Sequence, residues 1–270
     1  MSQSTISAEA SASLDQRESF CQRIVRSAGE IALAGFKGRD TVFRLKGPQD
    51  FLTETDGAVE SHLRAAVARA FPTDAFLGEE GGGDLGNNVW VVDPIDGTAN
   101  FARGIPHYCI SIAFVSGQEI ELGAIYNPSL DELYFARRGR GATLNGKPIT
   151  VATTSSFDAA CVEFGWSPRE PNSAYIAGFA ALLELGANVR RAASGALGLA
   201  FVADGRSDAY AELHMNSWDC LAGLLLVREA GGRVGRFLRD GALVQGGPVI
   251  AAAPGIASAM SEAVGLPLEN

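Results

Sequence analysis

Between residues 90 and 101 the chain reads WVVDPIDGTANF, an apolar run that ends in two carboxylates three residues apart. Trp90, Val91 and Val92 are the aromatic and β-branched types that fill a buried strand, so Asp93 arrives at the strand's end, on the edge of a core. Pro94 fixes its own φ and pushes Asp93 toward extended backbone, and Gly97 permits the tight turn after Asp96. Asp93, Asp96 and the Ile95 carbonyl can then converge on one side of a rigid turn. Hard oxygen donors of this kind suit Mg²⁺, which takes a few carboxylates together with water and phosphate. Thr98 adds a hydroxyl, and a short helix starting at Gly97 or Thr98 would turn unpaired amides toward an anion such as phosphate. The same residues also describe a solvated turn, because Asp-Pro and Asp-Gly are ordinary turn formers. The segment alone leaves these two readings level.

Composition limits the partners. A chain of 270 residues, 47% hydrophobic and 20% charged, forms one large domain or two closely packed halves. A formal net charge of −9 argues against nucleic acid or an anionic membrane as partner, since both need basic patches. The first thirteen residues, MSQSTISAEASAS, lack the basic and apolar regions of a signal peptide and read as a frayed tail. The longest apolar stretch, near Leu221 to Val227, is far shorter than the roughly 20 residues that span a bilayer. Cys21, Cys109, Cys161 and Cys220 are widely separated, which fits small buried hydrophobes in a reduced, cytoplasmic protein better than disulfides or zinc.

The periodicity predicts a helix from Leu14 to about Phe36, ended by Gly35 and Gly38, and a second from about Thr55 to Ala70. Strand patterns follow at Ala75 to Leu77, Val89 to Val92, Tyr108 to Val115, Ile120 to Tyr126 and Leu133 to Ala136, implying a long antiparallel sheet. A second half begins near Thr150, which divides the chain into residues 1–150 and 151–270. It alternates strand at Cys161 to Phe164, helix near Tyr175 to Leu185, strand at Val189 to Arg191 and helix near Ala196 to Ala203. Strand at Asp208 to Glu212, helix at Ser217 to Ala230, strand at Val249 to Ala252 and a helix from Pro254 complete it.

Two short patterns are set aside. Gly141 to Lys147 fits GxxxxGK, but Pro148 replaces the Mg²⁺-binding hydroxyl, and Asn145-Gly146 reads as a hairpin turn. Gly81, Gly83 and Gly86 fit GxGxxG, yet a strand follows them instead of a helix. The DxxD spacing of Asp93 and Asp96 differs from the DxD of aspartyl-phosphate enzymes, and GxSxG and HExxH are absent. His62, His107 and His214 have no metal-type spacing and read as core or solvated side chains.

Carboxylates recur at the ends of elements. Glu79 and Glu80 follow the strand at 75–77, Asp219 stands just inside a helix with Ser217 as its expected N-cap, and Asp56 closes Thr53-Glu54-Thr55-Asp56. Each alone reads as a cap or a solvated acid. Together, GEE at 78–80, DPIDGTANF at 93–101, WDCLAG at 218–223 and EAGG at 229–232 resemble the inositol monophosphatase family of metal-dependent phosphatases. TETD at 53–56, LGAIYNP at 122–128, GATLNG at 141–146 and DAYAE at 208–212 fall in the same family order.

The resemblance implies an αβαβα layered sandwich of the inositol monophosphatase and fructose-bisphosphatase kind, forming a cytoplasmic homodimer sensitive to Li⁺. It implies two or three Mg²⁺ ions held by Glu79, Asp93, Asp96, Asp219 and the Ile95 carbonyl. Catalytic roles fall to Glu79, Thr98 and Asp56, a phosphate seat to Gly97 and Thr98, and substrate contacts to Asp96, Ser194, Gly195, Glu212 and Asp219. Two positions depart from the family: Ala193 stands where its loop usually has Gly, and Lys46 is offset by one from the lysine of the animal enzymes. The expected reaction is hydrolysis of a small phosphate monoester, inositol monophosphate first, by activated water without a covalent intermediate. Histidinol phosphate, fructose 1,6-bisphosphate and nucleoside 3′,5′-bisphosphates are rival substrates. A non-catalytic metal- or phosphate-binding regulator is the rival class.

Overall fold

The computed structural model describes residues 3–38, 43–47, 50–239 and 241–269. The first half contains α1 (Gln3–Lys37), β1 (Phe43–Gly47), β2 (Asp50–Thr53), α2 (Glu54–Ala70), β3 (Ala75–Gly78), β4 (Gly82–Gly83), β5 (Asn88–Asp96) and α3 (Thr98–Ala102). It continues with β6 (Cys109–Ser116), β7 (Glu119–Asn127), β8 (Glu132–Arg137), β9 (Ala142–Leu144) and β10 (Lys147–Pro148). The second contains β11 (Cys161–Gly165), α4 (Asn172–Glu184), β12 (Asn188–Arg190), α5 (Gly195–Ala203), β13 (Ala209–Met215) and α6 (Ser217–Glu229). It ends with β14 (Arg233–Val234), α7 (Ala242–Gln245), β15 (Gly247–Ala252) and α8 (Ala257–Val264).

Period-2 alternation sorts the strand residues into layers. Trp90 and Val92 on β5 pack with Ile24, Ala28, Val59 and Leu63 of α1 and α2, whereas Val89 and Val91 face Leu197, Leu221 and Leu225 of α5 and α6. The far side of α5 and α6 meets Tyr210, Val249 and Ala251 of the second sheet. That sheet's other face, with Val162, Ala209 and Ile250, covers Leu182 of α4 and Met260 of α8. The order is helix, sheet, helix, sheet, helix, the expected αβαβα sandwich. The large sheet has eight strands in the order β10-β9-β8-β7-β6-β5-β3-β4, and the small one five in the order β12-β11-β13-β15-β14.

The large sheet is antiparallel except where β3 runs parallel to β5. The rejected nucleotide-loop pattern is a hairpin: β9 pairs with β10, and Asn145 and Gly146 carry φ values of 49° and 76°. Gly82 and Gly83 form β4, a short return against β3.

Three expectations are corrected. The frayed tail is helical from Gln3, as α1 extends back through it. Gly35 lies inside α1 and does not end it; a β-carbon there would strike the Thr55 side chain, so this glycine lets α1 approach α2. The N-cap of α6 is Asn216, while the Ser217 hydroxyl donates instead to the Leu243 carbonyl at 2.7 Å. The Lys46 side chain and Pro48 lie outside the described residues.

Candidate active site

The acidic motif departs from regular pairing where its carboxylates begin. Asp93 lies opposite Ser111 and Asp96 opposite Cys109, so β5 spends one more residue than β6 over this interval. Such a bulge bends the strand and re-aims its side chains. The Asp93 carboxylate folds back to accept the Ile95 N–H at 2.9 Å. Gly97, at φ 90°, caps α3, and a β-carbon there would press on the His107 carbonyl and the Ser194 side chain. Beside the bulge, the Glu79 amide donates to the Val92 carbonyl at 3.1 Å, which extends the β3–β5 pairing to the acid.

Two further acids are placed by helix starts. Asp56 and Asp219 each occupy the third position of a helix and reach back to the N-cap amide: Thr53 N–H to Asp56 at 2.8 Å, Asn216 N–H to Asp219 at 3.1 Å. This is the acidic half of a capping box, favourable at the positive end of a helix. Thr98 joins Asp56 to the bulge, its hydroxyl lying 2.8 Å from the Ile95 carbonyl and 3.2 Å from Asp56 Oδ1.

Glu79, Asp93 and Asp219 each bring one carboxylate oxygen within 4.8 Å of the other two. Burial pushes the Asp93 carboxyl well above the usual range, and the neighbouring charges of Glu79, Asp219 and Asp96 push it further. Asp219 is raised in the same way, by burial and then by Glu79 and Asp96. Mutually repelling carboxylates at this spacing, Asp93 buried and Glu79 and Asp219 partly buried, fit a divalent cation, whose charge removes the repulsion and whose preference is for hard oxygen donors.

Asp96 stands beside this cluster with a different set of contacts. Its carboxylate accepts from the Ser194 hydroxyl at 3.1 Å, from the Gly195 amide at 3.2 Å and from the Ala196 amide. It therefore caps α5 from across the seam between the halves, and burial raises its pKa to about 6 against the pull of these donors. Ser194 and Gly195, expected beside the alcohol part of a substrate, are turned onto Asp96.

Glu79, Asp96, Gly97, Thr98 and Asp219 share the wall of a cavity of about 790 Å³ with Ser194, Gly195 and Glu212. Glu212 accepts the Tyr210 hydroxyl at 2.6 Å, and burial lifts its pKa to about 7. A β-carbon at Gly165, its neighbour on β11, would occupy the carboxylate's place.

Several wall residues were not singled out by their spacing: Tyr210, Trp166, Arg169 and Arg191. Asn100 was inside the motif without an assigned task. Its amide donates to the carbonyls of His107 and Ala192, both at 2.9 Å, and so ties α3 to the loop before α5. That loop carries Ala193 at φ 61°, a left-handed conformation that explains why a glycine is usual there.

A five-layer αβαβα sandwich that gathers buried acids at strand and helix ends beside a cavity is the architecture of a metal-dependent phosphatase. The inositol monophosphatase family model matches residues 13–264, and the chain belongs to that family. Among relatives, the Nus factor SuhB of Pseudomonas aeruginosa is 38% identical over 239 residues, covering 85% of this chain and 88% of that one. The inositol-1-monophosphatase of Rhizobium meliloti is 38% identical over 231 residues, covering 84% and 87%. The solved IMPase of Thermotoga maritima superposes with a TM-score of 0.83 at 30% identity, covering 92% of this chain and 96% of that one. Among the described residues no helix is long and apolar enough to cross a membrane.

Proposed function

We propose that the chain is a Mg²⁺-dependent phosphomonoesterase acting on a small phosphorylated alcohol, inositol monophosphate first. The observation that carries this reading is the convergence of Glu79, Asp93 and Asp219 beside a cavity that also presents Glu212. Family membership and the name of the Rhizobium meliloti relative support it.

On this reading Glu79, Asp93 and Asp219, with Asp96 and the Ile95 carbonyl, hold two or three Mg²⁺ ions. Bound there, Mg²⁺ polarises phosphoryl oxygens and lowers the pKa of a coordinated water. Thr98 and Glu79 orient the attacking water. The Thr98 hydroxyl has a single proton to share between Ile95 and Asp56, so donation to Asp56 leaves the Ile95 carbonyl free as a ligand. Gly97 and the first turn of α3 seat the phosphate, while Glu212, held by Tyr210, accepts from an alcohol hydroxyl. Asp96, Ser194, Gly195 and Asp219 complete the substrate side. Attack by water without a phosphoenzyme is favoured because the nearest thiols, Cys109 and Cys220, are buried and pushed well above their ordinary pKa. The two halves, 1–150 and 151–270, act as one catalytic unit in a cytoplasmic homodimer inhibited by Li⁺, with no nucleic acid or membrane partner.

The test is a phosphate-release screen with Mg²⁺ and with chelator, across inositol monophosphate, histidinol phosphate, fructose 1,6-bisphosphate and a nucleoside 3′,5′-bisphosphate. Mg²⁺-dependent release from inositol monophosphate supports the reading, and no release from any compound overturns it. A second reading, a metal- or phosphate-binding regulator, is favoured by the Nus factor name of several relatives. It predicts Mg²⁺ binding without turnover in the same screen.

A further inference from the structure

Glu60 and Arg64 stand four residues apart on α2, the spacing of an ordinary exposed helix pair. Glu60 is nevertheless only 4% exposed. Its carboxylate reaches away from the helix and takes the two amides that follow Glu79: the Glu80 N–H donates to Oε2 at 2.8 Å and the Gly81 N–H to Oε1 at 2.9 Å. Arg64 completes the clamp, one guanidinium nitrogen donating to Glu60 Oε1 at 2.7 Å and to the Gly82 carbonyl at 2.8 Å. The same guanidinium lies 4.4 Å from the centre of the Phe76 ring on β3.

The glycines on either side of Glu79 make room for this carboxylate. A β-carbon at Gly78 would strike both Glu60 oxygens, and one at Gly81 would strike Oε1 and the Arg64 guanidinium. The backbone of Glu79 is thus fixed twice: its own amide is joined to Val92 of β5, and the next two amides are joined to α2. A second attachment leaves the same helix, because Asp56, four residues before Glu60, meets the Thr98 hydroxyl at 3.2 Å just beyond the bulge. One helix therefore sets the Glu79 loop and the Asp93–Asp96 turn in a fixed relation to each other.

A buried ion pair adds little stability beyond what apolar packing would give. What the fork of a carboxylate does supply is direction, since two charge-assisted hydrogen bonds fix the planes of two successive peptide groups. A metal ligand held by such outer contacts presents its oxygen at a set place, and loss of these contacts typically lowers metal affinity by roughly 10- to 100-fold. We infer that Glu60 is a positioning residue that acts through the backbone of the Glu79 loop to aim Glu79 at the cation, with Arg64 holding Glu60 in turn. The inference rests on the reading of Glu79 as a Mg²⁺ ligand.

Calorimetric titration of the full chain with Mg²⁺ reads this role without turnover. Glu60→Gln puts an NH₂ group where one of the two amides needs an acceptor, and is expected to raise the Kd for Mg²⁺ by about tenfold. Gly81→Ala keeps every charge, lies at an exposed position and intrudes only on the Glu60 and Arg64 side chains. It is expected to raise Kd in the same direction, and it decides the matter if the buried substitution prevents folding. Arg137→Gln breaks the ion pairs of Arg137 with Asp15 and Glu18, away from the cavity, and controls for lost stability. Its Kd should stay within about twofold of the parent value, as for distant independent sites. In the metal-free chain, hydrogen exchange at the Glu80 and Gly81 amides should be faster in both clamp variants. Unchanged Kd in both clamp variants, or an equal shift in the Arg137 control, overturns the positioning role alone. A parent chain that binds no Mg²⁺ overturns the metal reading of Glu79, and the aiming of Glu79 with it.

Discussion

At the scale of single residues, the site depends on charges that are unfavourable without a cation. Asp93 is 2% exposed, and its neighbours hold its carboxyl well above the ordinary range. Asp93→Asn should therefore abolish Mg²⁺-dependent phosphate release while the metal-free protein keeps or raises its Tm, because the amide fills the same place without the cost of a buried carboxyl that must either hold a proton or repel its neighbours. Unchanged turnover would sink the assignment of Asp93 as a ligand. Ala193, at φ 61°, is the other residue under load. Left-handed backbone costs an L-residue about 1–2 kcal/mol, partly offset by the greater unfolded freedom of glycine, so Ala193→Gly should stabilise by about 0.5–1 kcal/mol in urea unfolding. Asp93 could be placed from sequence because its neighbours in the chain determine its position. The partners of Asp96 could not, since Ser194 is 98 positions away and no local pattern records that contact.

At the scale of elements, helix starts serve as mounts for the acids. Asn216 caps α6 and its side-chain amide also donates to Asp219 at 3.2 Å, so one residue both starts the helix and aims a proposed ligand. Asn216→Ala should cost about 1 kcal/mol of stability and also weaken Mg²⁺ binding, read as a lower urea midpoint and a shifted metal titration. A stability loss with unaltered metal affinity would show that the cap does not position the acid. Long periodic elements such as α2, β6, β7 and α6 were legible because many residues repeat one signal. The two-residue strands β4, β10 and β14 were not, because each exists only through its pairing partner. Gly35 misled for a related reason: a glycine late in a helix reads as a stop, and only the nearby Thr55 reveals that it is there for close packing.

At the scale of the whole molecule, Glu79 and Asp93 come from the first half and Asp219 from the second. Mg²⁺ should accordingly raise Tm as a single transition, in proportion to its occupancy of the folded state. The pH dependence follows from the direction of the shifts. Asp93 and Asp219 hold protons in the metal-free fold that the unfolded chain has already released. The contribution of these two carboxyls to the stability of the metal-free protein is thus fully present below about pH 4 and is lost as pH rises through the folded values, while ion-paired acids such as Asp15 and Asp131 contribute in the opposite sense. Since the cation must displace those protons, the Mg²⁺-induced rise in Tm should be larger near pH 7.5 than near pH 5.5. An equal rise at both values would show that these carboxylates do not bind the ion. The division of the acids between the halves also sets an order in biosynthesis. A nascent chain has Glu79 and Asp93 in hand well before the ribosome reaches Asp219, so on this reading it cannot load metal or turn over substrate until α6 has emerged and docked. Loading then marks the end of folding, and any truncated product that stops before α6 is catalytically silent.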